Sequence, residues 1–106
     1  MDVVAARIIV RGRVQGVGYR WFARDAAESL APPDGASPGL PLAGWVRNLR
    51  DGSVELQVEG SSSLVEALLA KLRQGPPAAV VSALDVQWLP APPEARAARF
   101  EIRPTA

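Results

Sequence analysis

At 106 residues, with 48% hydrophobic and 22% charged residues, the chain suits one folded domain, 1–106, and is too apolar for a disordered protein. Its 12 basic and 11 acidic residues give a net charge of +1, which argues against broad electrostatic binding to nucleic acid or to anionic membranes. The absence of cysteine and histidine excludes disulfides, thiol nucleophiles, imidazole bases and most zinc sites.

The first predicted strand covers residues 6–14, which are rich in β-branched side chains and end at glycines. The alternation of side chains along the strand puts Ile8 and Val10 on one face and Arg7, Ile9 and Arg11 on the other. Because Arg7 interrupts the apolar residues at the N-terminus, no run is long enough for a signal peptide or a membrane span. We therefore expect a cytoplasmic protein that binds no membrane.

A helix is predicted over residues 19–31, because Phe22, Ala26 and Leu30 recur with helical spacing. The segment 31–41 that follows is crowded with proline and glycine and is long for a connection between two elements. We expect it to be an exposed, mobile loop insertion.

The segments 42–49 and 53–60 flank an Asp-Gly pair and predict a β-hairpin. The second strand alternates cleanly, with apolar residues on one face and Glu55, Gln57 and Glu59 on the other. We therefore expect a sheet with one wet face, which favours antiparallel pairing.

A second helix is predicted over residues 61–75. Ser63 and Glu66 fit a capping box at its start, and Gly75 fits a C-cap at its end. The helix has one apolar stripe, formed by Val65, Leu68, Leu69 and Leu72.

Two further strands complete the chain. The first covers 79–89, with Leu84, Val86 and Trp88 on the inward face, and the second is a short strand over 99–103. The resulting order, β-α-β-β-α-β with a short extra C-terminal strand, predicts an α+β fold. We expect a ferredoxin-like sandwich in which two helices cover one face of an antiparallel sheet.

The stretch GRVQGVGYR, residues 12–20, connects the first strand to the first helix. A helix N-terminus has unpartnered N–H groups and favours negative charge, and glycines allow such groups to converge on an anion. Arg20 could add a planar set of donors suited to phosphate. The spacing is neither that of a Walker A loop nor that of a dinucleotide-binding loop. From these residues alone, a tight turn with one solvated arginine is slightly favoured over an anion-binding loop.

Two stretches resemble the signatures of the acylphosphatase family: VRGRVQGVGYR, residues 10–20, and GWVRNLRDGSVELQVEG, residues 44–60. The resemblance extends over nearly the whole chain, because the order of the elements agrees as well. The chain departs from the family at Tyr19, where many members have phenylalanine, and in segment 31–41, which lengthens the connection after the first helix.

The resemblance implies that a phosphate-binding loop covers Gln15–Arg20 and that Arg20 is the catalytic arginine. The implied phosphate-binding residues are Gln15, Gly16, Val17, Gly18, Tyr19 and Arg20. The catalytic asparagine, which orients the attacking water, maps to Asn48. The alternative for Asn48 is a turn-forming role beside the Asp-Gly pair.

The implied reaction is hydrolysis of the carboxyl–phosphate bond of a small acyl phosphate, with inorganic phosphate as a product. A carboxylate whose conjugate acid has a pKa of roughly 4 can leave without a proton donor, which suits a chain without histidine. Phosphoryl transfer depends mainly on positioning and on charge stabilisation. We therefore expect no metal and no cofactor, and we expect a monomer.

Two other functions stay open from the sequence. One is a non-catalytic ferredoxin-like module that binds a small phosphate ligand or RNA, although the balanced charge and the lack of an RNP1-type aromatic pattern count against RNA. The other is a module for carbamoyl phosphate or another phosphoanhydride, as in larger maturation proteins. Because the sequence ends at Ala106, we expect no partner domain of that kind.

Overall fold

The computed structural model describes residues 3–30, 42–90 and 100–106. In chain order these residues form β1 (Val3–Arg13), α1 (Tyr19–Ser29), β2 (Ala43–Asn48), β3 (Val54–Ser61), α2 (Ser62–Gln74), β4 (Val80–Leu89) and β5 (Phe100–Ile102). This is the predicted order of elements. The predicted loop insertion over 31–41 lies outside the described residues.

The strands form one sheet in the order β4-β1-β3-β2-β5. The pairs β1–β3, β1–β4 and β2–β3 are antiparallel, as predicted. The short C-terminal strand departs from the prediction of an antiparallel sheet, because β5 runs parallel to β2, with Val46 opposite Ile102. The reason is topological. The antiparallel pairs make β2 run opposite to β4, and β5, at the other edge of the sheet, also runs opposite to β4. The last strand therefore has the same direction as β2.

The core lies between the sheet and the two helices. Ile8 and Val10 on β1 pair with Leu56 and Val54 on β3, and all four are fully buried. The helices pack on this face of the sheet, and the predicted apolar stripe of α2 is buried against it. Each buried side chain of this size stabilises the fold by about 1.5–3 kcal/mol. Within the described residues, neither helix is long and apolar enough to cross a membrane.

The opposite face of the sheet carries charged side chains, as predicted. It is less exposed to solvent than the alternation of apolar and polar residues in β3 indicates. Glu55 is only 3% exposed. Its carboxylate accepts hydrogen bonds from Arg7 Nε at 2.6 Å and from Arg47 Nε at 2.7 Å. The neighbouring residue across the strand pair, Ile9, is also buried. The expectation of an exposed Glu55 is therefore wrong, because its two arginine partners and Ile9 exclude solvent.

The start of α2 differs from its predicted form. Ser61, not Ser63, occupies the N-cap position, and it makes no side-chain capping bond. The predicted capping box of Ser63 and Glu66 is wrong because β3 continues through Ser61 directly into the helix, which leaves Ser63 inside the first turn. The predicted C-cap is confirmed, because Gly75 has a φ of 68° and donates its N–H to the Lys71 carbonyl at 3.0 Å.

The edge strand β4 buries less of its apolar face than predicted. Leu84 and Val86 pack against the core, but Trp88 is 50% exposed. Trp88 pairs with the buried Ala6, so it lies on the predicted face. The prediction that Trp88 is buried is wrong. The alternation of residues shows which face of the strand a side chain lies on, but it does not show whether another element covers that part of the sheet edge.

Candidate active site

The glycine loop, defined here as residues 15–20, connects the end of β1 to the first turn of α1. Gly16 and Gly18 have φ values of +74° and +79°, which lie in the left-handed region. Gly18 is the N-cap of α1, and its carbonyl accepts the N–H of Phe22 at 3.0 Å. A Cβ atom added at either glycine would meet no atom within 4 Å, so the conformation, and not crowding, favours glycine at both positions. The loop therefore ends in a helix N-terminus that opens to solvent.

The side chain of Tyr19 belongs to the core and not to the loop surface. It is 1% exposed, and its hydroxyl donates a hydrogen bond of 2.6 Å to the carbonyl of Leu72 in the last turn of α2. Burial raises the pKa of this phenol above its ordinary value. The hydroxyl that distinguishes Tyr19 from phenylalanine is thus used to satisfy a helix C-terminal carbonyl. The side chain of Tyr19 therefore does not line the candidate site.

Arg20 lies in the first turn of α1 and is partly buried. One of its terminal nitrogens donates to the carbonyl of Arg103 at 3.1 Å. Arg103 follows β5, and its own N–H donates to the Val46 carbonyl at 2.8 Å. Within the part of the chain that the structure describes, Arg20 forms no ion pair. Its guanidinium is therefore held in place by a neutral acceptor and keeps its charge available.

Asn48 is the last residue of β2 and lies at the same end of the sheet as the glycine loop. It pairs with Val54, which in turn pairs with Val10 near the end of β1. Asn48 is two residues from the buried Val46, so its side chain emerges on the face that the helices cover. The Asn48 carbonyl accepts the N–H of Ala106 at 3.1 Å. Its side-chain amide has no hydrogen-bond partner among residues 3–30, 42–90 and 100–106.

The hairpin turn, defined here as Leu49–Ser53, follows Asn48 directly. It is closed by the Leu49 N–H, which donates to the Ser53 carbonyl at 2.9 Å, and by the Gly52 N–H, which donates to the Leu49 carbonyl at 3.2 Å. Ser53 also donates to the Asp51 carboxylate through its hydroxyl and its main-chain N–H, and these bonds hold the pKa of that carboxyl below its usual range. The predicted Asp-Gly turn thus forms a compact unit.

Gln15 joins the two halves of the candidate site. Its side-chain Nε2 donates to the Leu49 carbonyl at 2.6 Å and to the Ser53 carbonyl at 2.8 Å. The glycine loop is therefore bonded to the hairpin turn that follows Asn48. Sequence reasoning placed Gln15, Arg20 and Asn48 in one site, but it missed the carbonyls of Leu49, Ser53 and Arg103. No sequence signal could have identified them, since every residue has the same main-chain acceptor.

Comparison with known proteins identifies the family to which the chain is similar. A family model described as Acylphosphatase matches residues 6–102. An acylphosphatase from Cupriavidus necator is 46% identical over 99 residues, which cover 93% of this chain and 92% of that relative. The crystal structure of acylphosphatase from Bacillus subtilis is 34% identical, has a TM-score of 0.76 and covers 94% of this chain and 98% of that one.

A similar fold also occurs within a longer protein. The crystal structure of full-length HypF in the phosphate- and nucleotide-bound form has a TM-score of 0.74 and 26% identity. It covers 98% of this chain, which matches 12% of HypF.

The fold and these matches define the structural class of the protein. It is a ferredoxin-like α+β sandwich with a glycine loop at a helix N-terminus. The chain belongs to the acylphosphatase family, and it is an enzyme of the hydrolase class.

Proposed function

We propose that the chain hydrolyses the carboxyl–phosphate bond of small acyl phosphates, that Arg20 and the glycine loop hold the phosphate, and that Asn48 orients the attacking water. The observation that carries this proposal is the connection between the two halves of the site. Arg20 at the N-terminus of α1 and Asn48 at the end of β2 are linked through Gln15 on one side and through the segment after β5 on the other.

The phosphate is bound mainly by main-chain groups. The first N–H groups of α1 have no partner within the helix, and the left-handed Gly16 and Gly18 turn the chain so that neighbouring N–H groups face the same region. The helix dipole adds favourable potential for an anion there. Arg20 contributes a guanidinium whose remaining N–H groups suit the equatorial oxygens of the phosphoryl group.

The water is held by Asn48. Its side-chain amide has both a donor and an acceptor, and it emerges at the end of the sheet that carries the glycine loop. In the reaction, the water oxygen forms a bond to phosphorus while the bond from phosphorus to the acyl oxygen breaks. The carboxylate leaves with the electron pair, and a phosphate oxygen of the substrate takes the proton of the water. Since the leaving group needs no proton and the charge is stabilised by Arg20 and main-chain donors, the scheme uses no metal and no cofactor.

The test is a continuous assay of benzoyl phosphate hydrolysis, with inorganic phosphate as a competitive inhibitor. Asn48→Ala should lower kcat by about 10²–10³-fold, with little change in inhibition by phosphate, because one preorganised group is lost. Arg20→Gln should weaken phosphate inhibition and lower kcat together. The reason is that the guanidinium binds both the inhibitory phosphate and the phosphoryl group of the transition state. A folded Asn48→Ala protein with nearly wild-type kcat would contradict the proposed role of Asn48.

The same assay tests the alternative that the chain acts on another phosphoanhydride. A preference for carbamoyl phosphate over acetyl and benzoyl phosphate would favour a specialised module of the kind that larger proteins contain.

A further inference from the structure

The side chain of Gln15 points toward the hairpin turn. Its amide nitrogen has two N–H donors, and the two acceptors within reach are the carbonyls of Leu49 at 2.6 Å and Ser53 at 2.8 Å. Because both partners are carbonyl oxygens, only the nitrogen of the amide can face them, which settles the orientation of the group. Both donors are therefore used within the protein.

These two bonds complete the hydrogen bonding of the hairpin turn. The Ser53 carbonyl already accepts the Leu49 N–H, and the Leu49 carbonyl already accepts the Gly52 N–H. Each carbonyl oxygen has two acceptor positions, so Gln15 fills the second one in both cases. Ser53 is 4% exposed, and without Gln15 its carbonyl would lose a partner in a place that water reaches poorly.

The hydrogen bonds of Gln15 and of the hairpin turn also fix the position of Asn48. The peptide group after Asn48 is fixed on one side by the Ala106 N–H, which donates to the Asn48 carbonyl, and on the other by the Leu49 N–H, which donates to the Ser53 carbonyl. Since Gln15 holds that same Ser53 carbonyl, it connects the glycine loop to the peptide plane next to Asn48. Misplacement of a reacting group by about 1 Å costs on the order of 10²-fold in rate.

We propose that Gln15 is a positioning residue, whose side chain sets the distance between the phosphate in the glycine loop and the water on Asn48, and that this side chain is not a phosphate ligand. This assignment rests on the proposed function of Asn48. The remaining side-chain atom of Gln15, Oε1, is an acceptor and would repel phosphate oxygens. Only the main-chain N–H of Gln15 is left to contribute to phosphate binding.

The first test is Gln15→Met, which keeps the length of the side chain and removes both donors. We expect kcat for benzoyl phosphate to fall at least about 10-fold, while KM and the inhibition constant of inorganic phosphate change less than about 2-fold. The matched control is Gln87→Met on β4, where an exposed glutamine lies outside the site, and it should keep wild-type kinetics. If instead the phosphate inhibition constant rises as much as kcat/KM falls, Gln15 is a phosphate ligand and the proposal is wrong.

A double-mutant cycle with Asn48→Ala separates positioning from general stability. If Gln15 acts through Asn48, Gln15→Met should lower kcat less than about 2-fold further in the Asn48→Ala background. The decrease in Tm caused by Gln15→Met should be the same in both backgrounds. Equal fold losses of kcat in both backgrounds would overturn the proposal. The proposed function fails in a different way, namely if the wild-type chain does not hydrolyse benzoyl phosphate or if Asn48→Ala keeps full kcat.

A second variant keeps the proposal testable if Gln15→Met does not fold. Gln15→Glu has the same shape, and its carboxylate repels the two carbonyls, but its protonated form regains one O–H donor. The ratio of its kcat to that of the wild type should therefore rise as the pH falls from about 8 to about 5. A ratio that stays constant over this range would overturn the proposal.

Discussion

The Arg20 guanidinium donates a hydrogen bond to the carbonyl of Arg103, 3.1 Å away, across 83 positions of the sequence. Arg103 is tied in turn to β2 through its own N–H. The cation of the candidate site is thus oriented by a main-chain oxygen that neutralises none of its charge. This relationship leaves Arg20 both ordered and positively charged, which is the combination that phosphate binding requires.

Gly18 offers a test of the loop conformation. Gly18→Ala should destabilise the protein by about 1–2 kcal/mol, because an L-residue is strained at a φ of +79° even though its Cβ would meet no neighbour within 4 Å. Gly18→Asn should cost less, since asparagine tolerates the left-handed region better than alanine. Urea denaturation of the three proteins measures both effects, and kcat/KM should fall in the same order. Equal stability of the wild type and Gly18→Ala would show that the loop does not need this conformation.

Tyr19→Phe tests whether this side chain is structural. The variant loses the buried hydrogen bond to the Leu72 carbonyl and should be less stable by about 0.5–1.5 kcal/mol. Its kcat and KM for benzoyl phosphate should match those of the wild type, because the side chain of Tyr19 is buried in the core. Chemical denaturation and steady-state kinetics on the same preparation check both statements. A loss of activity without a loss of stability would place the hydroxyl in the site instead.

Alkaline titration gives an independent measure of Tyr19. Because burial raises the pKa of Tyr19 in the folded state above its ordinary value of 10.0, the folded protein favours the neutral phenol. Its contribution to stability is complete below pH 10 and decreases as the pH rises further. The chain has a single tyrosine, so phenolate absorbance reports Tyr19 alone. We expect this absorbance to appear together with the loss of circular dichroism, and phenolate in a fully folded protein near pH 10 would be the contrary result.

Glu55→Gln tests the buried charge on the open face of the sheet. Burial by itself raises the pKa of Glu55, but hydrogen bonds and charges from Arg47 and Arg7 outweigh it and bring the pKa below its ordinary value of 4.5. The carboxylate therefore contributes stability that is present above about pH 4.5 and is lost as the pH falls through the lower pKa of the folded state.

At pH 7, we expect Glu55→Gln to lower the free energy of unfolding by about 1–3 kcal/mol, because hydrogen bonds to a charged group are replaced by weaker ones. Between about pH 5 and pH 3 the variant should lose less stability than the wild type, since it has one carboxylate fewer to protonate. Glu66→Gln, at an exposed position of α2, is the matched control and should follow the wild type. Parallel stability curves for Glu55→Gln and the wild type would show that this ion pair does not contribute to acid sensitivity.

Much of the fold could be predicted because the relevant signals are local. The alternation that buries Ile8 and Val10, and the apolar stripe of α2, follow from the periods of a strand and a helix. The predictions that were wrong concern what lies next to a residue in space. Ser63 was assigned as a cap because nothing local shows that β3 runs straight into α2, and Glu55 was expected to be exposed because alternation does not reveal two arginines on neighbouring strands.

By itself, the sequence determined the element order, the glycines that permit the loop before α1, and the positions of Arg20 and Asn48 within two family-like stretches. Only the tertiary structure decided how those two residues are held. The partners of Gln15 are carbonyls 34 and 38 positions away, and the partner of Arg20 is another carbonyl near the C-terminus. A main-chain carbonyl is the same at every residue, so its selection depends on strand register and packing and leaves no mark on the residue type.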